Sequence, residues 1–212
     1  MVFSLAGREW DLLPDVFAPT QSPTTGFALE LLGLAEAPVP PRTGSLLEIG
    51  CGTGVVAVSA ALAGCAPVVA TDINPAAVDN AALNATRHGV GARVRSVCGD
   101  LFDGLTGGER FDTVFWHSNY VLAPDDYQYT SIRERAYVDP GYTAHRRFLT
   151  EAPLWVTPTG AVLLHFSARG QLDALTRIAG ECDRALRVVR RGVFTEGEHP
   201  VEHTLFEVTV TR

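Results

Sequence analysis

Lysine is absent from these 212 residues: the 17 basic side chains are all arginine, set against 24 carboxylates for a formal net charge of −7. Enzymes of nucleic acids usually carry a basic surface that neutralises phosphates, so this balance argues against a nucleic-acid partner. Arg184, Arg187, Arg190 and Arg191 form the one candidate basic patch, and they read as a solvated helix and strand edge. Long apolar runs are missing too. Nothing approaches the roughly 18 consecutive apolar residues of a membrane span, and the first residues lack the charged-then-apolar pattern of a secretory leader. Cys51, Cys65, Cys98 and Cys182 show no Cys-x-x-Cys spacing, which argues against a structural zinc site, and no histidine cluster has ligand spacing. The cysteines sit in apolar segments, where the free thiol behaves as a small hydrophobe. A cytoplasmic protein without a metal is expected. The arginine- and alanine-rich composition fits a high-GC bacterial gene.

What is present is an alternation of strands and helices. The Pro-rich stretch 37–41 separates an N-terminal arm, residues 1–41, from a catalytic domain at 42–212, the whole forming a single domain. Within the arm, Phe27, Leu31 and Leu34 predict a helix over 24–36. Strands are predicted at 45–49, 67–71, 92–97, 111–116 and 161–166. Between them come helices at 55–63, from Pro75 to Gly89, from Asp139-Pro140 onward, and over 170–182. Asn74 suits an N-cap, with Pro75 at the first helical position. Such alternation implies an α/β fold, a mostly parallel sheet with helices on both faces. Strands 186–194 and 203–210, joined by a polar turn at 195–200, are too close for a crossover and must form an antiparallel hairpin.

Leu47-Glu48-Ile49-Gly50-Cys51-Gly52-Thr53-Gly54 ends the first of the alternating strands. Glycines there let the backbone turn tightly and approach a ligand without a Cβ in the way. A dinucleotide site would need glycine or alanine where Val55 stands, and a P-loop needs a lysine. What remains is an acid two residues before the first of three alternate glycines. A carboxylate there would repel a pyrophosphate but suits a cationic ligand.

This turn resembles the first motif of class I S-adenosylmethionine (SAM)-dependent methyltransferases, which have a Rossmann-like seven-stranded sheet. The resemblance implies SAM as cofactor, held by Glu48, Gly50, Cys51, Gly52 and Gly54. It puts Asp72 on the ribose hydroxyls, Ile73 against the adenine face, and Asp100 with the Leu101 backbone at the adenine edge. Asp15–Thr20 with Thr24-Thr25, and Asp72–Val78, resemble the release-factor and ribosomal-protein methyltransferase group across most of residues 15–170. That group carries Asn-Pro-Pro-Tyr after the fourth strand, where this chain has His117-Ser118-Asn119-Tyr120. Tyr120 matches; either His117 or, with a two-residue shift, Asn119 fills the Asn position.

Methyl transfer is an in-line displacement, so a methyltransferase mainly aligns the nucleophile and excludes water. His117, with a side chain that titrates near neutrality, is placed to act as general base beside Asn119 and Tyr120. Residues 120–142 read as a long irregular substrate lid, with Tyr127 and Tyr142 lining the acceptor pocket and Phe17, Thr24 and Thr25 closing it from the arm. His88, His145, His165, His199 and His203 read as structural or surface residues. The acidic charge and the changed Asn-Pro-Pro-Tyr stretch favour a small-molecule acceptor with an N or O nucleophile. A protein glutamine or amine acceptor is the alternative. Attack on the aminocarboxypropyl carbon, releasing methylthioadenosine from a transferase or cyclase, is a third reading, and an inactive SAM-binding module a fourth.

Overall fold

Two strands that the sequence did not suggest open the chain. β1 (Val2–Leu5) and β2 (Arg8–Asp11) pair antiparallel across Ala6 and Gly7, both with positive φ. Such two-residue hairpins usually carry Asn-Gly or Asp-Gly, so Ala-Gly between four-residue strands gives a weak signal. The structure is a computed structural model and describes residues 1–20, 23–35 and 43–211. The predicted Pro-rich boundary at 37–41 lies outside the described residues. α1 (Thr24–Leu32) ends sooner than its apolar spacing suggested, because Gly33 turns left-handed at φ 67° and its N–H closes on Glu30 and Leu29.

The alternating part follows as β3 (Leu46–Ile49), α2 (Val55–Leu62), β4 (Val68–Asp72), α3 (Pro75–Arg87), β5 (Val94–Cys98) and β6 (Phe111–His117). A small parallel pair, β7 (Val121–Ala123) and β8 (Val138–Pro140), precedes α4 (Thr143–Glu151), β9 (Val156–Ser167) and α5 (Leu172–Glu181). β10 (Arg184–Glu196) and β11 (His199–Val210) complete the chain. Asp139-Pro140 therefore ends a strand rather than opening a helix. The terminal turn shrinks to Gly197-Glu198, because the hairpin ladder runs on to the pair Glu196 and His199.

Seven strands form one sheet in the order β10-β11-β9-β6-β3-β4-β5, and β11 alone runs antiparallel to its neighbours. This is the Rossmann-like methyltransferase architecture. One face buries Phe115 and Leu205 against the arm, α1, α2 and α3. The other buries Val114, Leu164 and Phe206 against Phe148 and Leu149 of α4 and Leu175 and Ile178 of α5.

Two features set the site's position. Asn80 and Asn84, both fully buried on α3, hold the first hairpin: their Oδ1 atoms accept from Leu13 and Asp11 N–H, and their Nδ2 atoms donate to Asp11 O. Asn84 Nδ2 also donates to Thr53 O in the glycine loop at 2.9 Å. Gly54 begins α2 at φ 76°, where a Cβ would stand 2.7 Å from the Ala81 backbone of α3. Only glycine lets the two helices approach so closely. Gly54→Ala is expected to destabilise the fold by about 2–4 kcal/mol, from left-handed strain and overpacking together. Gly197→Ala meets only the strain, because nothing lies within 4 Å of its Cβ position, and is expected to cost about 1–2 kcal/mol. Denaturant unfolding of the two variants checks the contrast.

Candidate active site

A cleft of about 660 Å³ lies beyond the carboxyl ends of β3, β4, β5 and β6, where open α/β sheets bind their ligands. Gly50 and Gly52 line it, and both, with Gly54 at the start of α2, have positive φ. A Cβ on Gly52 would meet no atom of the described residues within 4 Å, so the loop leaves open space there for a ligand. The turn is tied down by its neighbours: Cys51 N–H donates to Thr71 O at 2.9 Å and Gly54 N–H to Cys51 O at 2.8 Å.

Three acids line this end. Asp72, ending β4, accepts from Gly52 N–H at 2.8 Å and from Asn74 N–H at 2.9 Å. Burial raises its proton affinity against those two bonds. Glu48 is 3% exposed, and its Oε2 accepts from Ala57 N–H at 2.8 Å, so the carboxylate secures the first turn of α2 from beneath the glycine loop. Burial pushes its carboxyl well above the usual carboxylate range, and Asp72 nearby adds to that. Asp100 follows β5 and stands 3.6 Å from Arg147, with Leu101 beside it at φ 54° and its carbonyl taken by Thr71 Oγ1. Ile73 and Cys51 also line the cleft. The loop's open floor and the acids at successive strand ends fit SAM.

At the other end stand His117, Ser118, Asn119 and Tyr120. Asn119 is buried; its Nδ2 donates to Val138 O at 3.0 Å and Arg135 O at 3.2 Å, while its buried Oδ1 has no partner among the described residues. Tyr120 is fixed by its backbone, whose N–H donates to Tyr137 O and whose carbonyl accepts from Tyr142 Oη at 2.7 Å. His117 does not titrate near neutrality as expected: burial, with His203 adding to it, lowers it to about 4.

Phe17, Thr24 and Thr25 line the cleft, as do Tyr129, Arg133, Arg135 and Tyr137 from the insertion. Two lid tyrosines do not. Tyr142 is fully buried at the start of α4, where it also accepts from Gln171 N–H; Tyr127 bonds Glu134 instead and is not among the lining residues. The insertion is less irregular than its composition suggested, since β7, β8 and a 3-10 turn (Ile132–Ala136) organise it. Arg133 reaches Asp15 of the arm at 3.2 Å, joining the two walls.

The histidines carry the main surprise. His165 and His203, read from the sequence as structural or surface residues, are buried behind the acceptor end of the cleft. His165 Nε2 lies 3.0 Å from His203 Nδ1, and His203 Nε2 lies 2.6 Å from Glu196 Oε1. The His117 ring packs on His165 with centroids 4.4 Å apart. Three histidines and a glutamate spread over residues 117–203 carry no sequence signal; pairing of β6, β9, β11 and β10 assembles them. His145 is likewise buried, bonded to Asp139 at 2.7 Å. His88 tilts onto Trp10, with centroids 4.4 Å apart, and burial lowers its proton affinity.

A family described as a methyltransferase domain matches residues 46–138. A release factor glutamine methyltransferase of Bordetella pertussis is 34% identical over 176 residues, 76% of this chain and 62% of that one. Residues 46–138 are thus a methyltransferase domain of the class I, SAM-dependent type. A Methanocaldococcus jannaschii protein, provisionally named a protein N5-glutamine methyltransferase, is 28% identical over 182 residues and is covered to 86% of its length. Among solved structures, a T. thermophilus 16S rRNA methyltransferase in complex with AdoMet and guanosine superposes with a TM-score of 0.67 at 17% identity, over 100% of this chain and 50% of that one. This methyltransferase thus spans about three-fifths of its Bordetella relative. Its cofactor is SAM.

These relatives correct the expectation of a small-molecule acceptor: their names specify protein glutamine. Acidic net charge was a poor guide, because acceptor choice depends on a few groups at one cleft rather than on the whole surface.

Burial lowers the proton affinities of His117, His165 and His203 in the folded protein. Between pH 6.5 and about 4 the unfolded chain therefore binds more protons, and stability falls as the solution is acidified through that window. Urea unfolding across it is expected to show a smaller loss for His117→Gln than for the wild type.

Proposed function

We propose that this methyltransferase places the methyl group of SAM on the side-chain amide nitrogen of a glutamine in a protein. The observation that carries the reading is Asn119. Its Nδ2 is pinned by two carbonyls, which fixes the amide's orientation and leaves a buried, unpartnered Oδ1 in a residue that lines the cleft, so a small turn of the side chain is what brings that acceptor to a substrate. An amide N–H satisfies that oxygen, whereas an acceptor lacking a donor leaves it unpaired at a cost of about 1–3 kcal/mol. Asn119 thus takes the Asn role and Tyr120 offers its ring to the planar amide. Naming of the Bordetella and Methanocaldococcus relatives for glutamine supports the same substrate class.

Asp72 would hold the ribose hydroxyls, Asp100 and Leu101 the adenine edge, Ile73 its face, and Gly50–Gly54 with Cys51 and Glu48 the amino-acid end. When bound, SAM supplies an electrophilic methyl carbon on a sulfonium. An amide nitrogen is a weak nucleophile because its lone pair is delocalised, so alignment and exclusion of water must do most of the work. Asn119 and Tyr120 orient the amide. Phe17, Thr24 and Thr25 of the arm flank it on one side and Tyr129 and Arg135 of the insertion on the other.

Incubation with methyl-labelled SAM and a bacterial extract is expected to label a protein band that maps to a methylated glutamine, with S-adenosylhomocysteine as co-product. Asn119→Ala should lower kcat/KM on the order of 10²-fold through lost alignment, while calorimetry shows SAM binding retained. Label confined to small molecules, or release of methylthioadenosine, would sink the assignment.

A further inference from the structure

The side chains behind the acceptor end of the cleft form a line with a direction. Arg169 Nε donates to Glu196 Oε2 at 2.5 Å, and the other carboxylate oxygen lies 2.6 Å from His203 Nε2. A carboxylate only accepts, so His203 carries its proton on Nε2 and presents a bare Nδ1. That nitrogen, 3.0 Å from His165 Nε2, accepts from it and leaves His165 with a bare Nδ1. His165 Nδ1 is buried without a partner among the described residues. The carboxylate thereby fixes the tautomers of two buried rings in series and ends the line on an acceptor lone pair. Beside it stands His117, the Cα partner of His165 across β6 and β9, whose ring lines the cleft.

We propose that Glu196, His203 and His165 are positioning residues that equip His117 to take the proton shed by the methylated acceptor nitrogen. The inference rests on the methyl-transfer reading above. The acceptor nitrogen bonds to the methyl carbon as the carbon–sulfur bond breaks, and the bonding pair stays on sulfur as a neutral thioether. The nitrogen, now positively charged, passes its proton to the bare nitrogen of His117. After a small turn of its ring, the resulting imidazolium donates to His165 Nδ1, and the Glu196 carboxylate at the far end of the line offsets its charge. Water takes the proton as the product leaves.

The charged or titratable groups around His117 are His165 from β9, His203 from β11, Glu196 from β10, Arg169 after β9 and Tyr120 beyond its own strand. In the free protein burial holds His117 at about 4, so unaided it is a weak base. A partner for the charged form is what raises its proton affinity. Simple core packing would need neither the run of polar rings nor a carboxylate at its end.

Two measurements on Glu196→Gln and His203→Phe test the relay. With the acceptor protein, kcat is expected to fall on the order of 10²-fold with acceptor KM within about twofold, and the acid limb of the kcat–pH profile is expected to move. Without any acceptor, nitrogen-15 NMR of the histidine rings is expected to show His117 titrating at lower pH in Glu196→Gln, and the His165 tautomer mixed. If both variants keep the wild-type kcat and an unmoved His117 titration, the line is packing only and the proposal is wrong. The NMR result does not depend on the acceptor, so a failure to label any protein would count against the glutamine reading and leave the relay to be decided by titration.

Discussion

Asp72 accepts the N–H groups of Gly52 and Asn74, and the cofactor end of the site depends on those two hydrogen bonds. One carboxylate fixes the glycine loop after β3 and the start of α3 after β4, which are adjacent parallel strands. Asn74 in turn caps α3 through Ala76 N–H and holds the arm through Asp15 O. Loop, helix and arm are thus positioned from the end of a single strand. Asp72 also remains at the cleft wall, where a ligand's hydroxyls can share its lone pairs.

The same economy holds at the acceptor end. Asn119 spends its donors on the insertion's backbone and so orients its acceptor, while Tyr142 bridges Tyr120 O and Gln171 N–H from beneath. The insertion is therefore both a wall of the cleft and the support that aims its polar groups. Arg133 and Asp15 join it to the arm by an exposed pair, which is worth little energy and can open for substrate.

Burial decides the electrostatics. Glu48, His117, His165 and His203 all lie where the charged form is disfavoured, and each shift has desolvation as its largest cause. Glu48 also acts within the scaffold, through its Oε2 on Ala57 N–H, besides lining the cofactor end of the cleft. His117 becomes a neutral, desolvated ring whose usefulness depends on what stands behind it.

Local chemistry was legible in the sequence. Gly50–Gly54 after an apolar run, Asn74-Pro75 before a helical pattern and acids at successive strand ends all act within a few residues, so spacing exposed the α/β order, and resemblance of the glycine turn to a family motif pointed to the cofactor. Boundaries drifted where one residue governs, as at Gly33 and in the turn at Gly197-Glu198. Tyr127 and Tyr142 illustrate the limit. Composition put both in a lid, but whether an aromatic ring faces solvent, cleft or core depends on which strand its segment joins, and Val138–Pro140 joined β7. The Glu196–His203–His165 line lay wholly beyond the sequence, because its members meet only through side-by-side pairing of four strands. The sequence by itself determined the fold class and the cofactor; the tertiary structure alone decided which polar groups share the acceptor end, since hydrogen bonds between distant strands obey register and leave no mark on spacing.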